Sequence, residues 1–198
     1  MKKIIFAIVA LFAAAPSFAQ FNSGGFSLDE ENLYWGVRLG VNFSGIGGDI
    51  ESDEGRTGMV LAGVVGLRVT EDVPLFLESG LYYSERGGNK LKGFNDPRDK
   101  QHDGHLNYLE VPVLIKYGIA TESEVAFLPF IGPYLGMGIS GNYAFLKHPE
   151  MGFKLGCGAE WNNLYIEAAY QFGVTNISDV DNMSSHGHSL GINFGINF

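Results

Sequence analysis

Alternation of apolar and polar residues is the clearest feature of the chain, and it is strongest at the C-terminus. Leu190, Ile192, Phe194, Ile196 and Phe198 alternate with glycine and asparagine. Because successive side chains of a β-strand point to opposite faces, this segment predicts a strand with one apolar and one polar face. Similar patterns, separated by turn residues, predict eight strands at roughly 33–45, 57–70, 73–86, 105–118, 125–140, 150–161, 163–175 and 188–198.

The connections between these strands alternate in length. Short turns follow the second, fourth and sixth strands, whereas the remaining connections are longer and polar, at about 45–56, 87–104, 141–149 and 176–187. Short turns at one end and long extracellular loops at the other are typical of bacterial outer-membrane barrels, as is an even strand number. The pattern therefore predicts an all-β fold, an eight-stranded antiparallel up-and-down transmembrane β-barrel.

On the apolar face of the predicted strands, the parity that contains the alternating apolar residues, aromatic residues lie at the end that carries the short turns. Amphipathic rings favour the headgroup level of a bilayer, where outer-membrane barrels carry aromatic girdles. We therefore predict that these residues form a belt at the membrane interface. The belt consists of Trp35, Tyr117, Trp161 and Phe198.

The opposite parity carries charged residues of both signs in equal number. An eight-stranded barrel is just wide enough to be filled by side chains, and a charge sealed inside it must be paired. The balance therefore predicts a plugged polar interior in place of an open channel. The predicted lumen polar network consists of Arg38, Arg68, Glu78, Glu110, Lys116, Lys154, Glu160 and Glu167.

The N-terminus has the pattern of a secretory signal. Lys2 and Lys3 precede an uncharged apolar run, and Ser17-Phe18-Ala19 places small residues at the cleavage site. The apolar run is shorter than the ~20 residues that a membrane-spanning helix needs. We predict a cleaved signal peptide at 1–19, a flexible segment at 20–32 and the barrel domain at 33–198.

Charge and cysteine content narrow the set of partners. The chain has 13 basic and 22 acidic residues, which speaks against nucleic acid. Its single cysteine, Cys157, excludes an internal disulfide. We expect outer-membrane lipid and lipopolysaccharide around the barrel, and the barrel-assembly machinery to bind the C-terminal strand that ends in Phe198.

Several segments together resemble a known family. They are Trp35–Ser44, Leu75–Ser84, Leu106–Tyr117, Gly132–Gly136 and Gly173–Ser178. The chain resembles the PorT-like outer-membrane β-barrel family of Bacteroidetes. The resemblance implies an eight-stranded barrel in the outer membrane of a Gram-negative bacterium. Since the eponymous member is similar to factors of a protein secretion and gingipain maturation pathway, it also implies a secretion accessory as one role.

Four histidines are the weak candidates for a metal site, namely His102, His105, His186 and His188. Histidine is a common ligand of zinc, but the spacing of these residues matches no known zinc motif. We therefore predict that the protein binds neither a metal nor a cofactor.

A lipid A-modifying enzyme of this shape would need a nucleophile within hydrogen-bond reach of its base. Ser189 directly follows His188, so a strand would send the two side chains to opposite faces. We therefore predict no catalytic residue.

The sequence thus predicts a non-enzymatic structural or interaction component of the cell envelope. Its extracellular loops would form the recognition surface, and the loop at 87–104 is the longest of them. The alternatives are a narrow solute pore or an accessory of a protein secretion pathway, and a lipid A-modifying enzyme is less favoured. The sequence names no specific ligand, partner protein or oligomeric state.

Overall fold

The computed structural model describes residues 33–49, 51–70, 72–92, 102–121, 125–142, 149–178 and 184–198. The predicted signal peptide and the segment 20–32 lie outside these ranges. Within them, there is no helix long and apolar enough to cross a bilayer. The strands are β1 (Leu33–Gly48), β2 (Glu51–Arg68), β3 (Leu75–Lys92), β4 (His102–Tyr117), β5 (Ile119–Ala120), β6 (Val125–Asn142), β7 (Pro149–Trp161), β8 (Leu164–Gly173) and β9 (Ser185–Asn197).

The eight long strands form a closed antiparallel ring. Each pairs with its neighbours along the chain, β4 pairs with β6, and β1 pairs with β9 to complete the circle. The two-residue β5 adds a short pairing to β6 beside the turn between β4 and β6. Closure leaves no unpaired edge among the described strands, which is the condition for strands to exist in lipid. The prediction of an eight-stranded up-and-down barrel is confirmed.

Side chains alternate between the two surfaces of the ring with a period of two residues. In β8, for example, Leu164, Ile166 and Ala168 are exposed on the outside, and the residues between them are buried inside. Large apolar side chains cover the outer surface, with Phe194 and Leu39 exposed by 61% and 57%. In a soluble protein such a surface would be unfavourable, whereas lipid tails solvate it.

The predicted loops are shorter than expected because the strands continue into them. β1 and β2 fill most of the predicted loop 45–56, and β3 and β4 leave only 93–101 of the predicted loop 87–104. Likewise β9 begins at Ser185, inside the predicted loop 176–187. Backbone pairing continues where the apolar alternation ends, since a strand outside the membrane needs no apolar face. Alternation therefore marks the membrane-spanning part of each strand and not its end.

Small residues inside the barrel make room for aromatic rings. A Cβ atom on Gly158 would lie 2.2 Å from the hydroxyl oxygen of Tyr165, and one on Gly66 would lie 2.2 Å from the ring of Tyr34. Both distances are far below van der Waals contact, so only glycine allows these rings to lie flat against the wall. The glycines at every second position of the strands thus permit a filled interior.

The first and last strands are joined by a Trp–Phe pair at the turn-side end, which is the end of the barrel that carries the short turns. The backbones of Trp35 and Phe198 exchange two hydrogen bonds of 3.0 and 2.7 Å. Their rings stack with centroids 4.4 Å apart. Asn163, in the turn between β7 and β8, donates a hydrogen bond of 2.7 Å to the Asn197 carbonyl oxygen. The C-terminus is therefore held from both neighbouring strands.

The predicted belt residues all lie on the outer surface at the turn-side end. Tyr117 and Trp161 end β4 and β7 and are 45% and 52% exposed, and the stacked Trp35 and Phe198 are half-buried. A second group of aromatic residues, absent from the predicted belt, lies towards the other end of the barrel. It contains Phe153, Tyr170 and Phe172, whose rings contact one another at centroid distances of 6.0 and 6.3 Å.

Candidate functional site in the barrel interior

Most of the predicted lumen network lies inside the barrel. Arg38, Glu78, Glu110, Lys116, Lys154, Glu160 and Glu167 are all buried. Arg68 is the exception, because it is half-buried at the turn-side end of β2, where its Nε donates to the Thr70 carbonyl oxygen. Two further charged residues, Arg86 of β3 and Glu150 of β7, are buried inside and were not predicted.

One group of buried charges, the loop-side cluster, lies towards the end of the barrel that carries the longer connections. It is built around Arg86. Its Nη2 lies 2.7 Å from Glu110 Oε1, and its Nη1 lies 3.3 Å from Glu150 Oε1. Uncharged groups also donate hydrogen bonds to these carboxylates. The Gln171 amide donates to Glu110 at 2.9 Å, and the Tyr134 hydroxyl donates to Glu150 at 2.5 Å. A guanidinium holding two carboxylates from two other strands cross-links the walls of the barrel.

The turn-side cluster contains three basic and two acidic residues. Lys116 Nζ lies 2.8 Å from Glu78 Oε1 and 3.8 Å from Glu167 Oε2. Arg38 lies 3.5 Å from the other oxygen of Glu78, and Lys154 lies 3.7 Å from the other oxygen of Glu167. The two glutamates therefore bridge all three cations, in an arrangement that spans five strands.

Hydrogen bonds from the last strand hold two of the interior carboxylates. Asn193 Nδ2 donates to Glu167 at 2.8 Å, and Asn197 Nδ2 donates to Glu160 at 2.9 Å. The asparagines alternate with the apolar residues of this strand. The polar face of the C-terminal strand therefore serves to bind interior carboxylates. Each asparagine lies opposite a glycine of β1, Gly40 and Gly36 respectively.

The buried charges do not match the predicted balance of four and four. The basic residues are Arg38, Arg86, Lys116 and Lys154, and the acidic residues are Glu78, Glu110, Glu150, Glu160 and Glu167. Compared with the prediction, Arg86 replaces Arg68 among the buried basic residues, and Glu150 is an additional buried acidic residue. Parity could have found both missed residues, since Arg86 is an even number of positions from Glu78 and Glu150 from Lys154.

Apolar side chains fill the space around the charges. In the turn-side half, Phe76, Leu114, Leu128 and Phe130 are buried among the charged residues, and Phe76 and Phe130 both pair with Lys116. On the loop side, Ile177 is 1% exposed and clusters with Ile46, Leu106 and Tyr108. Ile177 belongs to the cap segment, residues 174–178, which follows β8 and covers this part of the mouth.

Backbone hydrogen bonds fix the cap segment to the barrel wall. Ile177 N donates to the Ser185 carbonyl oxygen at 2.9 Å, and Val174 N donates to the Met151 carbonyl oxygen at 2.8 Å. The ionic clusters are therefore separated from the loop-side solvent by an apolar layer.

The histidines that were the metal candidates belong to two different strands, β4 and β9. His186 lies against the cap segment, with Nδ1 3.1 Å from the Thr175 carbonyl oxygen and Nε2 3.3 Å from the Ser184 hydroxyl. His188 is exposed on the outer surface. His102 and His105 lie on β4, which is opposite β9 in the ring. In the described part of the chain, no three His, Cys, Asp or Glu residues form a group that could hold a metal.

Ring closure, an apolar outer surface and a filled interior define a small outer-membrane β-barrel. Comparison with known families agrees, since residues 18–179 match the family described as "Outer membrane protein beta-barrel domain". The chain belongs to this family. The prediction of a location in the outer membrane of a Gram-negative bacterium is confirmed.

Solved structures show the same fold at low sequence identity. The neisserial surface protein A is 15% identical, with a TM-score of 0.50, over 85% of this chain and 98% of that chain. A major outer membrane protein from Thermus thermophilus is 13% identical, with a TM-score of 0.50, over 85% of this chain and 100% of that chain. No curated protein matches the chain. The PorT-like subfamily and the Bacteroidetes origin stay predictions.

The loop-side cluster makes a testable prediction about stability. Replacing Arg86→Met leaves Glu110 and Glu150 buried without their cation, which is expected to reduce the free energy of unfolding by about 3–5 kcal/mol. Urea-induced unfolding in lipid vesicles measures this change. The control is Arg56→Met, a half-buried arginine of β2 outside both clusters, with an expected change of about 0–1 kcal/mol. Equal effects of the two substitutions would show that Arg86 does not hold the cluster together.

Proposed function

We propose that the protein is a non-conducting, non-enzymatic barrel that serves as a structural or interaction component of the cell envelope. The observation that carries this proposal is the interior, in which charged side chains from opposite walls meet in two buried clusters. The larger of the two interior cavities described has a volume of about 20 Å³. That volume holds about one water molecule, and it gives no continuous path for a solute.

The filled interior weighs against the alternative of a narrow pore. An ion crossing the barrel would have to displace Arg86 and Lys116, which are 3% and 1% exposed. It would also have to pass the apolar cluster at the loop-side mouth. Breaking buried ion pairs without compensation costs several kcal/mol, so spontaneous opening would be rare.

The interior also gives a substrate no access to its polar groups. The glutamates and tyrosines there are buried, and several are engaged with one another, as in the Tyr134–Glu150 hydrogen bond. On the last strand, His188 is exposed whereas Ser189 is buried, so the two side chains lie on opposite surfaces. Both observations support a protein without catalytic chemistry and count against the lipid A-modifying enzyme.

Strand lengths favour a role for the loop-side end. β8 has 10 residues, the length that a transmembrane strand needs, whereas β2 and β3 have 18 each. The eight additional residues of each correspond to about 26 Å along the strand. The β2–β3 wall therefore projects well beyond the lipid, and the segment 93–101 follows directly from it. We propose that this projecting wall and its loop contact an extracellular or envelope partner.

Lipid is the partner that the apolar outer surface requires, and we propose that lipopolysaccharide surrounds the loop-side half. We also propose that the barrel-assembly machinery binds the C-terminal strand before the ring closes. The closed ring supports this order, because Phe198 there pairs with Trp35 through both its backbone and its ring. An accessory role in protein secretion is compatible with the projecting wall, but no described residue points to that pathway.

Conductance measurements test the proposal that the interior is closed. The purified protein, inserted into a planar bilayer in potassium chloride, is expected to give no stable current steps, because no continuous path crosses the charged clusters. A general porin under the same conditions serves as the positive control. Regular steps of uniform size, scaling with the number of inserted barrels, would establish a pore and overturn the proposal.

Affinity capture tests the proposed interaction surface. The tagged protein is cross-linked in native envelopes, and a variant lacking 93–101 is expected to lose its partner because the loop tip carries the contact. The control lacks 143–148, the connection between β6 and β7, and is expected to retain the partner. Identical capture profiles for both variants and the intact protein would rule out the β3–β4 loop as the recognition surface.

A further inference from the structure

The larger of the two interior cavities, called the central cavity below, lies between the two ionic clusters. Residues of both clusters line it. Lys154 belongs to the turn-side cluster, and Glu110 and Gln171 belong to the loop-side cluster. The remaining lining includes polar side chains of β1 and β3, Asn42 and Tyr82. At this cavity the two clusters therefore face a shared space.

Buried polar atoms at this cavity lack a hydrogen-bond or ion-pair partner among the described residues. Two of them are the Asn42 side-chain oxygen and the Tyr82 hydroxyl, and the two side chains are 3% and 2% exposed. A third, the Asn193 side-chain oxygen, is turned towards the wall, since it would lie 2.1 Å from a Cβ atom on Gly40. The Asn42 amide nitrogen already donates to the Ser84 hydroxyl at 2.9 Å, so its oxygen is the group that still needs a donor.

Leaving these atoms without partners would be costly. A buried polar atom without a partner costs about 1–3 kcal/mol, and native proteins rarely leave several of them at the same cavity. The Asn42 oxygen can only accept, whereas the Tyr82 hydroxyl can donate and accept. A ligand that satisfies both must therefore donate at least one hydrogen bond.

The size and charge of the cavity select the ligand. A volume of about 20 Å³ accommodates one water molecule and nothing much larger. A small cation in this space would meet the Lys154 ammonium, and a small anion would meet the Glu110 carboxylate. Water is neutral, it donates two hydrogen bonds and it accepts others, so it suits an asparagine oxygen and a hydroxyl together.

We propose that the central cavity is a binding site for a single, tightly held water molecule. This water donates to the Asn42 oxygen and bonds to the Tyr82 hydroxyl. Its remaining hydrogen bonds reach the lining side chains of the two clusters. The loop-side and turn-side clusters thereby become one polar network that spans the interior, while the interior stays closed to solutes.

Gly191 of β9 provides a test whose sign depends on whether water is bound. This glycine lines the cavity, and a Cβ atom there would meet its nearest neighbours at 3.8 to 4.0 Å, an ordinary contact distance. Gly191→Ala therefore fits the wall while placing a methyl group into the cavity. Gly47→Ala is the matched control, since it lies on neighbouring β1 with clearances of 3.9 and 4.0 Å but does not line the cavity.

With water in the cavity, the methyl group displaces it and leaves polar atoms without partners, so G191A melts at a lower temperature than G47A. With a dry cavity, the methyl group fills a void, and G191A melts at the same or a higher temperature, which overturns the proposal. Melting is followed by circular dichroism in detergent micelles.

A direct measurement on the unmodified barrel does not depend on any variant. Nuclear magnetic resonance should detect rotating-frame Overhauser cross-peaks between water and the Asn42 side-chain amide protons. These cross-peaks should be absent from G191A and present in G47A. If the unmodified protein shows no such cross-peak at Asn42, the water site does not exist.

Discussion

Pairing between the first and the last strand is the constraint on which the rest of the structure depends. Without the β1–β9 ladder, two strand edges would present unpaired amide and carbonyl groups to hydrocarbon, at a cost of several kcal/mol for each group. Closure in turn fixes which residues face inwards. Once Gly36 and Gly40 are set opposite Asn197 and Asn193, the two asparagines hold interior carboxylates.

The same closure creates the electrostatic problem that the interior solves. A ring of eight strands leaves no room for bulk water, so every charge on the inward parity must find a partner within it. Arg86 and Lys116 each contact two carboxylates. Tyrosine and asparagine side chains donate further hydrogen bonds to the interior glutamates. Ion pairs that join strands across the interior also resist its opening, which connects the packing of this protein to its proposed lack of conductance.

The strand number, the antiparallel order and the parity of most side chains could be predicted because a period of two is visible in the sequence. The strand ends could not, since outside the membrane neither surface of a strand needs to be apolar. Arg86 and Glu150 do not depend on this, since they are the terminal residues of the predicted strands 73–86 and 150–161 and share the polar parity of the interior. The ion pairs across the interior could not be predicted either. Lys116 contacts both Glu78 and Glu167, and these contacts depend on the strand register and on the width of the barrel.

In this structure the apolar face of each strand is turned towards lipid and the polar face towards the barrel interior. Spin labels placed one at a time along β8, from 164 to 173, in a Cys157→Ala background test this orientation. Accessibility to oxygen is expected to be highest at Leu164, Ile166, Ala168, Tyr170 and Phe172 and lower at each residue between them. A flat profile, or maxima at the intervening residues, would show that the orientation is wrong.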